Sequence, residues 1–387
     1  MSPNQIPGKR HPEYVLVEND ADLAEIAAGL KKESAIGVDL EADSMFHYQE
    51  RVCLLQISTH LLNIVIDPLS VKDLSSLAPV FFDPLIRKVF HGADYDIRCL
   101  YRDFGIEVRS LFDTQIAARF LGVKETGLAS LLKEKFDVLS DKKYQKRDWS
   151  QRPLPAAMLQ YAVQDICHLL PLAKILEKGL MEKGLLFCVE EECELLSGVR
   201  PNPSVRRSLF LSFKGAATLD PRSLAVLEML LRFRDQVARR RDCPHFKVLG
   251  NKPIMEIARI KPAAKAELTG IRGLSPKLIN QLGESLIKKV NEGLSLPERA
   301  LPVYPKKARH KLRSQEAARV KALKGWRERL GQKRGVDPPL VCTNAQIQAI
   351  AVANPGKPEK MLDIKEIRRW QIKLLGPAIC SVLHETG

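Results

Sequence analysis

AIGVDLEAD, residues 35–43, decides how this chain is read. Ile36, Val38 and Leu40 imply a buried strand, and the two-residue period of a strand sends Asp39 and Glu41 to the same face. Buried carboxylates are costly unless a cation or hydrogen bonds compensate them. Taken alone, Asp-x-Glu on a strand is usually a solvated face or a turn rather than a catalytic pair. Two later stretches give it meaning.

The first is FHGADYDIRCL, residues 90–100. Ile97, Leu100, Tyr101 and Phe104 recur at helical spacing as a buried face, which places Asp96 at its edge near the helix start. Asp94 competes with it and reads as the N-cap of a helix running from Tyr95 to Phe104. The second is LQYAVQDICHLL, residues 159–170, in a helical segment that starts after Pro153 and Pro155. Tyr161 and Asp165, four apart, lie on one face a turn apart, which sets a phenol beside a carboxylate. Clustered carboxylates repel one another, and a bound cation removes the conflict. An all-oxygen donor set favours Mg²⁺ or Mn²⁺, and no His or Cys has a convincing zinc spacing. Two such ions, roughly 3.5 to 4 Å apart, can hold both the attacking and the leaving oxygen of an in-line phosphoryl displacement.

In these residues the chain resembles the DEDD family of 3′–5′ exonucleases, in the subgroup whose third motif is Tyr-x-x-x-Asp. The likeness covers residues 14 to 180 and extends to LLQIS (54–58), FDTQIAARFLG (112–122) and DWSQRPL (148–154). It implies a ribonuclease H-like α/β fold, a mixed sheet flanked by helices. It also implies that Asp39, Glu41, Asp96 and Asp165 bind or position two divalent metal ions, Mg²⁺ or Mn²⁺, while the Tyr161 hydroxyl orients the attacking water. Asp96 is preferred to Asp94 because the family's acid directly precedes an aliphatic residue, here Ile97. Strand-like runs at Tyr14–Val17, Ala35–Leu40, Val52–Ser58 and Leu62–Ile66 agree with that fold.

Other residues near the motifs carry two readings. Asp113 reads as a helix cap. His91 reads either as a wall of the site or as a hydrogen-bonded structural histidine. Met45, Phe46 and Tyr48 are candidates for stacking on terminal bases, with core packing the simpler account of Phe46. Lys142, Lys143, Lys146, Arg147 and Arg152 form a basic run around Trp149, expected to guide the strand backbone or to be a solvated loop.

A chain of 387 residues exceeds one typical domain. Its eight cysteines have neither metal spacing nor disulfide-rich density and read as reduced thiols of a cytoplasmic protein. No signal-peptide pattern opens the chain and no apolar run approaches a membrane span, so a soluble, unexported protein with no membrane partner is expected. Charge is uneven. Residues 1–200 carry 24 Lys plus Arg against 30 Asp plus Glu, a net of −6, whereas residues 201–387 carry 37 against 16, a net of +21. An acidic catalytic unit joined to a basic one suggests that the latter holds a polyanion.

The second half also repeats. A gapless shift of 93 residues superposes Phe233-Arg234 on Trp326-Arg327, Asn251 on Asn344, Ile257-Ala258 on Ile350-Ala351 and Leu282-Gly283 on Leu375-Gly376. Both copies read as helical. In the first, Gly273 allows a tight turn and Ser275-Pro276 opens a helix, a geometry that can present backbone amides to phosphate. That stretch and LLRFRDQVARRRDCPHF, residues 230–246, resemble the HRDC domain of RecQ-type helicases and ribonuclease D, which makes Arg234, Arg240, Arg241, Gly273 and Ser275 candidate nucleic-acid contacts. In the second copy Glu366 and Arg368 replace Gly273 and Ser275, leaving a packing or spacing role as the alternative there.

Proline-bearing linkers at Ser197–Ser204 and Leu296–Lys307 divide the chain into an exonuclease domain (1–200), a first HRDC domain (215–295) and a second, diverged HRDC-like domain (308–387), the last two all-α. This order resembles the ribonuclease D family over nearly the whole chain. The resemblance implies trimming of RNA with a free 3′ end, transfer RNA precursors in particular, with release of nucleoside 5′-monophosphates. A 3′–5′ DNA exonuclease is the nearest alternative, which a 2′-hydroxyl requirement would separate. A dead nuclease fold that only binds nucleic acid is the other, and the presence of all four acids and Tyr161 argues against it.

Overall fold

A computed structural model describes residues 12–139, 142–201, 208–305 and 312–386. Pro203 and Ser204 of the first expected linker, and Lys306 and Lys307 of the second, lie outside the described residues. The chain forms two compact units: residues 1–42, 52–201 and 310–387 make one, and residues 43–51 and 202–309 the other.

The first unit is built on a six-stranded mixed sheet among the described residues. Its strands are β1 (Val15–Val17), β2 (Ala35–Ala42), β3 (Val52–Ser58), β4 (Asn63–Ile66), β5 (Arg87–Phe90) and β6 (Leu111–Asp113), in the order β1-β4-β3-β2-β5-β6. β3 runs antiparallel to β2 and β4, and the other pairs are parallel. Every residue of β3 is buried, as a central strand covered on both faces requires. The β2–β3 register sets Asp39 opposite Gln56 and Glu41 opposite Leu54, and it shifts only after Glu41.

The four expected strands are present. β5 and β6 were not expected, for physical reasons: β6 runs straight into the helix that Asp113 caps, and β5 interrupts its apolar run with Lys88. That side chain is 0 % exposed. Its ammonium donates to the carbonyls of Asp83 (2.6 Å) and Ile86 (2.5 Å), and burial lowers its pKa to about 8.

The Ala156–Ile166 helix, started by Pro155, crosses β2, β3 and β4. With Cys53, Leu54, Val65 and Trp149 it closes a small apolar core directly over the face that carries Asp39 and Glu41. Arg152, expected to contact the strand backbone, instead serves this layer: its guanidinium makes two 2.6 Å bonds to the buried Asp67 and another to the Cys53 carbonyl. Burial opposes ionisation of Asp67, but Arg152 and the Leu69 amide win and hold its carboxyl below the usual range. In the Asp94–Phe104 helix Ile97 and Leu100 are buried as expected, whereas Tyr101 is 38 % exposed and lies under the Arg200 guanidinium.

The repeat is structural as well as sequential. Helices Pro221–Arg240, Asn251–Ile260 and Pro276–Leu294 recur as Ser314–Arg334, Asn344–Ala353 and Arg369–His384. Arg234 donates to the Leu249 carbonyl and the Asn251 side chain, and Arg327, 93 residues on, donates to the Cys342 carbonyl and the Asn344 side chain. Arg234 is therefore a strut that ties its helix to the next one.

The second copy belongs to the first unit. The apolar core under the sheet continues into Leu323, Ile347, Trp370 and Ile379. Glu191 of the Leu186–Ser197 helix accepts from the backbone amides of Arg369 (2.7 Å) and Trp370 (2.8 Å), the start of the last helix, while Glu192 accepts from the Trp370 indole. Gly122 sits at φ +83° with the Gly335 carbonyl 3.0 Å from where a Cβ would stand. The first copy forms the second unit with its own core of Leu227, Leu230, Ile254, Ile257, Leu286 and Val290. No disulfide joins the eight cysteines among the described residues, and no helix among those residues is long and apolar enough to cross a membrane.

Candidate functional site

Strand β2 and the Ala156–Ile166 helix bring three of the four expected acids together. One carboxylate oxygen from each of Asp39, Glu41 and Asp165 lies within 4.8 Å of the others. Asp96 stands outside that triplet but close enough for its charge to act on Asp39 and Glu41. Burial raises the Asp39 pKa well above the usual carboxylate range, and the charges of Asp96 and Asp165 raise it further, against the opposing Leu40 amide. Glu41 is raised likewise, by burial and then by Asp39, Asp165 and Asp96. Asp96, 8 % exposed, is pushed up to about 7 by burial, with Asp113 and Asp94 adding to it. These groups share a pocket that disfavours their charge, and a hard cation is the partner that their all-oxygen donor set fits. The acidic cluster can bind metal.

Tyr161 is buried over the cluster, its hydroxyl bonded to Asp165. Burial, then the Asp165 and Glu41 charges, raise its pKa, so the phenol stays protonated and acts as a donor. Its ring packs against Tyr144 at 5.8 Å and Trp149 at 6.2 Å.

The position of Asp96 depends on a residue far along the chain. The Asp94–Phe104 helix has Ala93 as its N-cap, with no side-chain cap. Asp94, expected to be the cap, is instead its first residue and pairs with Arg98. The Asp113 carboxylate takes the amides of Gly92 (3.0 Å) and Ala93 (2.8 Å) while capping its own helix at Gln115 and Ile116. Asp113 is the cap the sequence suggested, and it also holds the turn that presents Asp96.

The cleft, about 350 Å³, is lined by Asp39, Glu41, Tyr161, Asp165 and His91, as well as by Gln115, Gln145 and residues 127–130. His91 thus lines the site and is also structural. The Thr114 hydroxyl donates to the Phe90 carbonyl and shares a 2.9 Å hydrogen bond with His91 Nδ1. Burial lowers its pKa. Residues 127–130 were not anticipated: they start the nine-residue Leu128–Phe136 helix, whose amino end favours an anion. A Gly before a short apolar run is the only trace that end leaves in the sequence. Lys143, Lys146 and Arg147 are exposed and are neighbours in sequence of Gln145, which lines the cleft.

The remaining candidates lie in the second unit. Residues 43–51 belong to that unit, and Phe46 and Tyr48, expected to stack on bases, have protein partners there. Tyr48 donates to Asp235 at 2.8 Å and meets His245 edge-on, with Arg239 over its ring, while Lys247 covers Phe46. Met45 is exposed. Arg240 and Arg241 are exposed at a helix end. Gly273 takes a left-handed φ of +96°, and Ser275 caps the Leu278 amide.

The 3′–5′ exonuclease family matches residues 14–181, the part that holds the cleft, and the HRDC domain family matches residues 223–290 and 316–383. Ribonuclease D of Escherichia coli is 32 % identical over 75 % of the chain and 77 % of its own length. The chain belongs to the ribonuclease D family. Ribonuclease D of Pseudomonas paraeruginosa is 28 % identical over 96 % of the chain and 98 % of its own length. The crystal structure of Escherichia coli RNase D, described as an exoribonuclease involved in structured RNA processing, superposes with a TM-score of 0.71 at 27 % identity, covering 96 % of this chain and 99 % of that one. As a member of the ribonuclease D family the chain is a hydrolytic 3′–5′ exoribonuclease.

Proposed function

We propose that this exoribonuclease trims the 3′ ends of structured RNA, transfer RNA precursors among them, and releases nucleoside 5′-monophosphates with the help of two divalent ions, Mg²⁺ or Mn²⁺. The observation that carries the reading is the meeting of Asp39, Glu41 and Asp165 within 4.8 Å, close to the buried Asp96. These four acids would hold the ions. When bound, such a pair stabilises the attacking and leaving oxygens of the displaced phosphodiester.

The chain's own groups do the rest. Tyr161, kept protonated, donates its hydroxyl proton to Asp165 and leaves its oxygen to accept a hydrogen bond that orients the attacking water. The amino end of the Leu128–Phe136 helix faces the same cleft and favours the scissile phosphate there. Lys143, Lys146 and Arg147, exposed and close in sequence to the cleft-lining Gln145, suit the backbone of an entering strand. Arg240, Arg241 and the Gly273–Ser275 turn, on the second unit, supply phosphate contacts for the body of the RNA.

Matched RNA and DNA oligonucleotides with free or blocked 3′ ends, incubated in Mg²⁺, Mn²⁺ or chelator, test this directly. The expected products are mononucleotides from RNA with a free 3′ end and none in chelator. Equal turnover of DNA would remove the RNA preference, and turnover in chelator would remove the metal role.

A further inference from the structure

Gln56 lies in the middle of β3, 0 % exposed, and neither its amide oxygen nor its amide nitrogen has a hydrogen-bond partner among the described residues. A buried amide without partners costs on the order of 1–3 kcal/mol and calls for an explanation. The register supplies its surroundings. Gln56 stands directly opposite Asp39 on β2 and opposite Val65 on β4. Residues directly opposed in an antiparallel pair send their side chains to the same face, about 4.5–5.5 Å apart at Cβ. Gln56 therefore shares the face that carries Asp39 and Glu41. On its own strand the same face holds Leu54, which is apolar, and Ser58, whose hydroxyl is already bonded to the Ile166 carbonyl. Val65 and the Ala156–Ile166 helix cover the rest with Ala162 and Val163. By register the polar side chain facing Gln56 across the strand pair is Asp39, while the covering layer adds the buried indole of Trp149, itself without a partner.

We propose that Gln56 is a positioning residue of the metal centre, whose amide, unpartnered here, takes up the Asp39 carboxylate when a divalent cation binds and fixes its orientation. The inference rests on the metal role given to Asp39 above. A carboxylate that ligates through one oxygen leaves the other to accept a hydrogen bond, and such supporting bonds fix ligand orientation and tune affinity. An amide suits that place better than a charged donor, since it steadies the ligand without neutralising it. The strand position adds rigidity, because β3 is paired along both edges.

The test uses the full chain and Gln56→Met, which keeps length and removes the amide. Mn²⁺ binding is titrated calorimetrically in the absence of RNA, and thermal unfolding is followed in chelator. We expect Mn²⁺ affinity to fall about 10-fold or more. In chelator the unfolding midpoint should hold or rise, since an unpaired buried amide has been removed. With RNA, kcat should fall while KM stays at the parent value. Parent-like Mn²⁺ affinity in the variant overturns the proposal and leaves Gln56 as a structural group solvated inside the fold. Gln56→Leu replaces the methionine variant if that does not fold, and failure of both to fold also overturns the proposal by making the amide a strut of the sheet. A parent chain that binds no Mn²⁺ would instead sink the metal reading of the whole site.

Discussion

At the scale of single residues, Asp94 and Asp96 differ by two positions and play opposite parts. Asp94 is exposed and satisfied by Arg98, whereas Asp96 is buried and faces the acidic cluster. Asp39→Asn, Asp165→Asn and Asp96→Asn should each lower single-turnover RNA hydrolysis by on the order of 10²-fold or more, with thermal unfolding showing an intact fold. Asp94→Asn should leave turnover within a few-fold of the parent. An Asp94 variant more damaged than the Asp96 variant would show that the wrong acid has been placed in the site. Arg234 and Arg240 form a second contrast. Arg234→Met should lower stability without changing how RNA affinity depends on salt. Arg240→Gln with Arg241→Gln should leave stability alone and make that dependence shallower, by roughly 0.7 to 0.9 in the log–log slope for each phosphate that is no longer neutralised. Filter binding across a salt series, beside urea melts, separates the two.

At the scale of elements, the two helical copies have the same layout and different attachments. In the first, Ser275 caps its own helix; in the second, the corresponding helix start is held by the Glu191 carboxylate. Charge-assisted bonds of this kind contribute about 1.5–3 kcal/mol each, so Glu191→Ala should destabilise the chain by about that much or more in urea unfolding. A Glu191→Ala variant as stable as the parent would mean that the apolar contacts alone hold the second copy in place. This attachment was not legible in the sequence, and neither was the clamp of Asp113 on Gly92 and Ala93. Both depend on residues that meet only once the chain has folded. What could be read followed short periods: two residues on β2 for Asp39 and Glu41, four on a helix for Tyr161 and Asp165, and 93 for the duplication. β5 was hidden by the charge of Lys88 inside its apolar run, and β6 by running straight into the helix that Asp113 caps. The contacts of Phe46 with Lys247 and of Tyr48 with His245 were not legible either, because an aromatic near an active-site strand looks alike in sequence whatever it packs on.

At the scale of the whole molecule, the acidic cluster makes stability depend on pH in an unusual direction. Asp39 and Glu41 have raised pKa values and Asp96 is pushed up to about 7, so between the ordinary carboxylate value near 4 and about 7 the folded chain binds more protons than the unfolded one. Stability therefore falls as pH rises across that window. The depressed Asp67 works the other way and at lower pH, losing its contribution as pH drops below the ordinary value. In chelator the unfolding midpoint should be higher at pH 5 than at pH 7.5, and saturating Mn²⁺ should shrink or reverse the gap. A midpoint that climbs from pH 5 to 7.5 in chelator would contradict the burial of those charges. The sheet also carries its own chemical clock. Lys88 is sealed inside β5 with its ammonium spent on two carbonyls, so an amine-acylating reagent in the buffer reaches it only when that strand opens. Mass spectrometry of the peptide containing Lys88 during slow acylation would time that opening, against surface lysines that react at once. The same signal, taken with and without metal or RNA, would report how firmly each ligand keeps the catalytic sheet shut.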